Sequence, residues 1–324
     1  MSKKLGVIMD HISTIKSYKD STFAMMLAAQ NRGWELFHIL QSDMAWREGK
    51  IIANAQSVSV RDDNSHWYDL EPPCELDMEG LDAVLMRKDP PFDMEYIYTT
   101  YLLEALEASN VLIVNRPRSL RDVNEKFFTT RFPQCAPPQI ITRDPERIRQ
   151  FLSEHKEIVV KPLDGMGGAS IFRIDEGDLN TNVILETVLD HGRKTAVAQR
   201  FLPEYTQGDK RILLIDGEPV TWALARIPAK GEARANLAAG GSWEGVALTE
   251  RDHWICSQVA PELKERGLIF VGLDVIGDYL TEINVTSPTC IRELDQLYDL
   301  DIGGQLIDCL DTKLTTSNQG EQPI

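Results

Sequence analysis

A chain of 324 residues with 34 Lys and Arg against 50 Asp and Glu carries a formal charge of −16. So acidic a chain excludes general binding to nucleic acid or to an anionic membrane, both of them polyanions, but leaves room for an anionic small substrate in a local basic cleft. With 43% hydrophobic and 26% charged residues it has the composition of a globular protein of about two domains.

The five cysteines, Cys74, Cys135, Cys256, Cys290 and Cys309, form no CxxC and no close pair, which fits a reduced setting. The start, MSKKLGVIMD, has too short an apolar run for a signal-peptide core. Apolar runs such as Leu268 to Val271 fall far below the roughly 18 residues of a membrane span. Together these features predict a soluble, cytoplasmic protein with no membrane and no nucleic-acid partner.

KLGVIMD reads as a buried strand ending at Asp10. Asp20 or Ser21 caps a helix to about Arg32, stopped by Gly33. WELFHIL (34–40) is the next strand, residues 44–75 give hairpin pieces, and LDAVLM (81–86) is a buried strand that runs into RKDPPFD. A helix over 94–109 and the strand VLIV (111–114) complete an α/β domain with a mainly parallel sheet. SLRDVNEKFF then reads as helical, followed by a strand at 139–142 and a helix opened by Asp144 and Pro145. EIVVKPL is a strand leading into DGMGGAS and back as IFRI; a helix near 180–190 follows. TAVAQRFL, KRILLID and EPVTWALAR are strands, and 227–245 is a long loop. A helix (249–265), strands at 268–276 and 280–285 and a last helix near 302–314 close the fold. The predicted class is an N-terminal α/β domain (1–122) followed by an α+β unit (123–316, divided at 202), with a frayed tail at 317–324.

There is no GxxxxGK[ST], no GxGxxG after the first strand, no GxSxG and no HExxH, and none of the six histidines lies at metal-ligand spacing to another. What is present is different. In KPLDGMGGAS (161–170) a strand delivers Lys161 to a glycine loop, and glycines let backbone N–H groups approach an anion closely. A glycine-rich hairpin with a solvated lysine is the plainer alternative. In DVIGDYLTEIN, Asp274, Glu282 and Asn284 are oxygen donors of the kind Mg²⁺ accepts, and Glu282 and Asn284 share one strand face. A two-residue Gly277-Asp278 turn pairs Asp274 with Thr281 and separates it from Glu282. A three-residue turn, or a bulge, puts all three together. Arg87, Arg211 and Arg226 stand at strand ends, suited to a carboxylate or phosphate in a cleft, with surface ion pairs as the alternative. The segment 227–241, rich in small residues, is long enough to be a lid.

MRKDPPFD, SLRDVNEK, KPLDGMGGASIFR, GDKRILLIDGEPV, NLAAGG and GLIFVGLDVIGDYLTEINVTSPTCIRE occur in this order. In that series the chain resembles the ATP-grasp fold and, more closely, the bacterial glutathione synthetases, to about residue 315. The resemblance implies ATP-dependent joining of glycine to γ-glutamylcysteine, release of ADP and phosphate, Mg²⁺ (or Mn²⁺ in its place) and a homotetramer. Carried over residue by residue, it implies that Lys126 and Lys161 hold ATP phosphates under a loop of Gly165, Met166, Gly167 and Gly168. Gln199, Arg200, Phe201 and Leu202 would line the adenine, with Asp209 near the nucleoside. Arg211, Asp274, Glu282 and Asn284 would handle the metal ions and the transferred phosphoryl. Arg87, Arg226, Asn284 and Ser287 would face the peptide, and Arg226, Arg211 and Lys161 would be catalytic. The chain departs from the family pattern at His11 after Asp10, at Ala235 between Arg234 and Asn236, and at SWEG after Gly241.

The chemistry follows from the reaction. A carboxylate is a poor electrophile, and phosphorylating it gives an acyl phosphate with a good leaving group that glycine's amine can displace. Arg226 would stabilise the oxyanion, and a lid would keep water from the acyl phosphate. A different acceptor on the same ATP-grasp machinery, or a non-catalytic ATP-binding regulatory module, are the rival readings; the second predicts loss of the metal ligands.

Overall fold

The computed structural model describes residues 2–164, 170–228 and 242–319, with side chains of the last helix to Thr316. The first unit contains β1 (Lys4–Ile8), α1 (Ser21–Asn31), β2 (Glu35–Ile39), β3 (Met44–Arg47), β4 (Lys50–Val60), β5 (Tyr68–Leu70), β6 (Cys74–Asp77), β7 (Ala83–Met86), α2 (Met94–Glu107), β8 (Leu112–Val114) and α3 (Pro117–Asp122). Its sheet runs β3-β4-β2-β1-β7-β8, with β5 and β6 on β4. The ladders β2-β1-β7-β8 are parallel, and their strands are nearly continuous apolar runs because both faces are covered.

Next come β9 (Gln139–Thr142), α4 (Pro145–His155), β10 (Glu157–Pro162), β11 (Phe172–Asp175), α5 (Thr181–Val188) and β12 (Ala196–Arg200). They make an antiparallel sheet in the order β11-β10-β12-β9, with a core of its own that includes Phe151, Ile158, Val160 and Leu185. The last unit has β13 (Asp209–Ile215), β14 (Glu218–Pro219), β15 (Trp222–Ile227), β16 (Ser242–Ala247), α6 (Glu250–Glu265), β17 (Phe270–Ile276), β18 (Tyr279–Asn284), α7 (Ile291–Tyr298) and α8 (Ile302–Gln319). Its antiparallel sheet runs β16-β15-β13-β17-β18 and shares cores with the first sheet; one holds Leu5, Leu85, Leu213, Phe270 and Leu306. Asn115, buried after β8, ties the two sheets together. Its Nδ2 donates to Phe270 O (2.8 Å) and Val285 O (2.7 Å), and its Oδ1 accepts from Phe270 N (2.9 Å).

The mixed α/β architecture agrees with the sequence reading, and several elements correct it. SLRDVNEKFF is not one helix. α3 ends at Asp122, Val123 is extended, and the Asn124 Oδ1 accepts from Lys126 N (3.1 Å) and Phe127 N (3.0 Å), which starts a separate turn. EPVTWALAR splits after Pro219, which has no N–H to continue the ladder. The long loop ends earlier than 245, because Ser242–Ala247 pairs with β15 as β16. α7 is a helix the sequence reading passed over, and α8 runs beyond 314 to Gln319.

Candidate active site

One face of the six-stranded sheet carries the charged residues, and the register explains why. Asp209 and Arg211 are two apart on β13 and so point to one side. Asp209 pairs with Arg226 on β15, Arg211 with Asp274 on β17, and Asp274 with Glu282 on β18. Asn284, two beyond Glu282, shares that side. Gly272 leaves room for the first arginine: a Cβ there would stand 2.9 Å from Arg211 Cδ.

The ion pairs are dense and dry. Arg211 grips Asp274 with two bonds, Nε to Oδ1 (2.6 Å) and Nη2 to Oδ2 (3.0 Å). Arg226 Nη2 bridges Asp274 Oδ2 (2.9 Å) and Asp209 Oδ2 (2.6 Å), and Asn284 Nδ2 donates to Asp274 Oδ2 (3.2 Å). Only 3% of Asp274 is exposed. Burial alone would raise its pKa, but the two guanidinium charges outweigh burial and hold the carboxyl well below the usual range. Asp209 goes the other way. Burial, with repulsion from Asp274 and Glu282, pushes it up to about 6 against the pull of Arg226, and its Oδ1 has no hydrogen-bond partner among the described residues.

Two lysines approach the same face from outside the sheet. Lys161, at the end of β10, places Nζ 3.4 Å from Glu282 Oε1, and Lys126 places Nζ 3.9 Å from it. Lys126 also pairs with Glu125, whose carboxyl burial and the neighbouring Glu282 push up to about 7. The segment is fixed by backbone bonds: Ile283 N donates to Glu125 O (2.9 Å) and Asn124 Nδ2 to Leu163 O (2.9 Å). Lys126, Lys161, Arg211 and Arg226 thus face Glu125, Asp209, Asp274 and Glu282. Such a balanced set can accept phosphates when the lysines exchange carboxylate for phosphate oxygen.

The donors suit a hard divalent cation. Among the described residues no three His, Cys, Asp or Glu side chains form a metal-holding group; the donors expected from the sequence are two carboxylates, Asp274 and Glu282, and the Asn284 amide oxygen. That leaves positions for phosphate oxygens and water, which is how Mg²⁺ is usually held. Both Asp274 oxygens are already engaged by arginine, whereas Asn284 donates through nitrogen and keeps its oxygen for other partners.

The remaining expected residues fall into two groups. Gln199 Nε2 donates to Gln139 Oε1 (3.0 Å) on β9. Arg200 lies 5.1 Å from the Tyr279 ring, Phe201 N donates to Glu157 O (3.0 Å), and Leu202 is buried, so this stretch links the two antiparallel sheets. Arg87 and Ser287 belong to the place where the end of β7 touches the segment after β18; Arg87 Nη2 donates to Pro288 O (2.9 Å), and Pro288 lies beside Gly272, next to Arg211. Gly165, Met166, Gly167 and Gly168 lie outside the described residues, as does most of the expected lid, 229–241. Sequence reasoning missed Glu125, which pairs with Lys126 beside Glu282. An acid beside a lysine reads as a solvated pair, and nothing in the chain's spacing marks Glu125 as half-buried.

The comparisons agree with one another. The "Prokaryotic glutathione synthetase, N-terminal domain" family matches residues 3–121, and the "Prokaryotic glutathione synthetase, ATP-grasp domain" family matches 125–299. The glutathione synthetase of Pseudomonas aeruginosa is 56% identical over 314 residues, 97% of this chain and 99% of that protein. That of Pseudomonas putida is 57% identical over the same shares. A D-cycloserine synthetase structure superposes with a TM-score of 0.68 at 14% identity, over 96% of this chain and 99% of that one. An ATP-grasp ligase complexed with a precursor peptide and AMPPNP gives 0.62 at 18%, over 96% and 98%. These distant structures share the fold. The close relatives and both family matches place the chain in the prokaryotic glutathione synthetase family, with ATP-dependent glutathione synthesis as its activity.

Proposed function

We propose that synthesis proceeds by phosphorylation of the cysteine carboxylate of γ-glutamylcysteine, followed by attack of glycine's amine on the acyl phosphate. The observation that carries this reading is the convergence of Lys126 and Lys161 on Glu282, beside the arginine-bound Asp274. Positive charge gathered around metal-type carboxylates suits phosphoryl transfer. In this reading Lys126 and Lys161 hold the ATP phosphates, Gln199 to Leu202 line the base, and Asp209 stays near the nucleotide through Arg226. Glu282 and Asn284 would hold the divalent ion, and Asp274 would join them only by giving up part of its arginine contacts. When bound, that ion, Mg²⁺ with Mn²⁺ as a substitute, neutralises phosphate charge during transfer. Arg211 and Arg226 then stabilise charge on the activated carboxyl, and Arg87 and Ser287 hold the peptide.

Cys290 is poorly suited to the role of covalent nucleophile. It is 2% exposed, and burial pushes its thiol up even with Arg211 and Arg226 nearby. The domain division at 122 and 202, the homotetramer and the cytoplasmic setting belong to the same proposal. Among the described residues no helix is long and apolar enough to cross a membrane.

The test is phosphate release from ATP with γ-glutamylcysteine, with and without glycine, together with a panel of amine acceptors. Glycine should speed release and appear in the product. Release unaffected by glycine, or faster with another amine, would point to a different acceptor.

A further inference from the structure

On the β16 side of Arg226 the charged face of the sheet gives way to an aromatic ring. Arg226 on β15 pairs with Trp243 on β16, as it does with Asp209 on β13. Cross-strand partners share a face, so Asp209, Arg226 and Trp243 form one row across the face that carries the ion pairs. β16 is the edge strand, and Trp243 is 39% exposed. Arg226 reaches away from it, to Asp209 and Asp274. The tryptophan therefore stands about one strand spacing, roughly 4.8 Å, from the stem of Arg226. The neighbouring rows are closed differently. Leu224 pairs with Gly245, and a Cβ on Gly245 would stand 2.3 Å from the Tyr298 ring, so α7 lies directly on the sheet there. Trp222, two residues back along β15, stacks on the same ring at 3.9 Å between centroids. Tyr298 thus seals the rows of Trp222 and Gly245, while the row of Arg226 stays open to solvent at its β16 end, with Trp243 as its border.

The two sides of Arg226 differ in chemistry. Lys126, Lys161 and Glu282 gather on the β18 side, where the phosphates belong in the reading above. The amine that attacks the activated carboxyl has the β15–β16 side left to it. A broad, rigid, apolar ring at that side gives a small acceptor a wall and leaves a side chain no room. We propose that Trp243 is a specificity-determining residue for the acceptor, which admits glycine and excludes amino acids that carry a side chain.

This assignment rests on glycine as the acceptor and names what selects it. Glycine, alanine and serine present the same amine and the same carboxylate, so arginines that bind a carboxylate cannot tell them apart. Discrimination has to come from contact at the α-carbon, and that contact is steric. Excluding one methyl group in this way is worth roughly 10–200-fold. Trp243 belongs to SWEG, a stretch in which the chain departs from the family pattern, so the wall is a feature of this chain. Its place on an edge strand, partly exposed, lets it be replaced without opening the core.

The experiment compares full-length wild type, Trp243→Val, Trp243→Ala and Trp243→Phe at saturating ATP and γ-glutamylcysteine. Amide formation with glycine, L-alanine and L-serine is read by mass spectrometry, with phosphate release followed in parallel. Trp243→Val should raise the ratio of kcat/KM for alanine to that for glycine roughly 10–100-fold and should raise KM for glycine, with KM for ATP changed less than about twofold. Trp243→Ala should do the same, and it carries the test if Trp243→Val does not fold. Trp243→Phe, which keeps a ring, should move the ratio less than about threefold. An unchanged ratio in a folded variant would overturn the assignment. So would phosphate release that rises without any acceptor while the ratio stays fixed, because the ring would then be a shield against water. A wild type that forms no amide with glycine would overturn the glycine reading itself, and the assignment with it.

Discussion

Asp274 and Glu282 stand opposite each other across β17 and β18, although the Gly277-Asp278 turn between these strands has only two residues. Such a turn alone puts Thr281 opposite Asp274. The register slips between Asp274 and Val275, and Thr281 becomes the extra residue, its hydroxyl donating to Asp274 O (3.0 Å). The N–H groups of β18 record the slip. Leu280 N donates to Cys135 O and Ile283 N to Glu125 O, three apart where a regular strand would have two. A bulge therefore brings the carboxylates together.

Glu282→Gln keeps the shape of this arrangement but removes a charge from the donor set and from both lysines. Turnover should fall at least roughly 100-fold, with the melting temperature little changed because the side chain is only partly buried. A Mg²⁺ titration of steady-state rate checks it. Near-wild-type turnover at low Mg²⁺ would remove Glu282 from the site.

Asp274→Asn leaves two buried guanidinium groups without their shared carboxylate. The loss should be about 3–5 kcal/mol of stability, read from urea denaturation. A change under about 1 kcal/mol would mean that water or another anion compensates, and that the pair is less buried than its 3% exposure implies.

Asp209 gives a pH signature. Its folded pKa of about 6 lies above the ordinary 3.8, so between these values the folded state holds the proton more tightly than the unfolded state. Stability from this group is present below about pH 4 and is lost as pH rises through 6. Wild type should therefore lose stability relative to Asp209→Asn across that window, measured by denaturation at pH 4, 5, 6 and 7. A difference that grows in favour of wild type with rising pH contradicts the burial of Asp209.

Cys290→Ala should keep most activity and fold normally. Cys290 has φ of 91°, a left-handed conformation that costs alanine no more than cysteine, and its thiol makes only a weak contact with Thr289 Oγ1 (3.7 Å). A folded but inactive variant, seen by circular dichroism and the coupled ADP assay, would reopen a thioester route.

The strand carrying Lys161 and the strands KRILLID and FVGLDVI were legible because long apolar runs fix them, and period two sets the shared face of Glu282 and Asn284; how KRILLID and FVGLDVI pair was not read from the sequence. The Asp274–Glu282 pairing was not decidable. Turn length alone left two registers, and the choice came from the 125–135 segment bonding along the far edge of β18. The break at Asn124 was hidden for a similar reason. Helical spacing continues through it, and only the Asx bonds to Lys126 and Phe127 stop the helix and aim Lys126 inward. α7 escaped notice because it opens at a left-handed Cys290 with no side-chain cap. The bond from Thr286 to Asp89 joins the loop after β7 to a segment nearly 200 positions away, a contact no local pattern announces.

Activation of the cysteine carboxylate by phosphoryl transfer is the central step, and the fate of its oxygen tests it directly. γ-Glutamylcysteine carrying ¹⁸O in this carboxylate, turned over with ATP and glycine, should deliver one labelled oxygen to inorganic phosphate for each glutathione formed, read by mass spectrometry. Phosphate free of label at full conversion would contradict the acyl-phosphate route and the roles given to Lys126, Lys161 and Glu282.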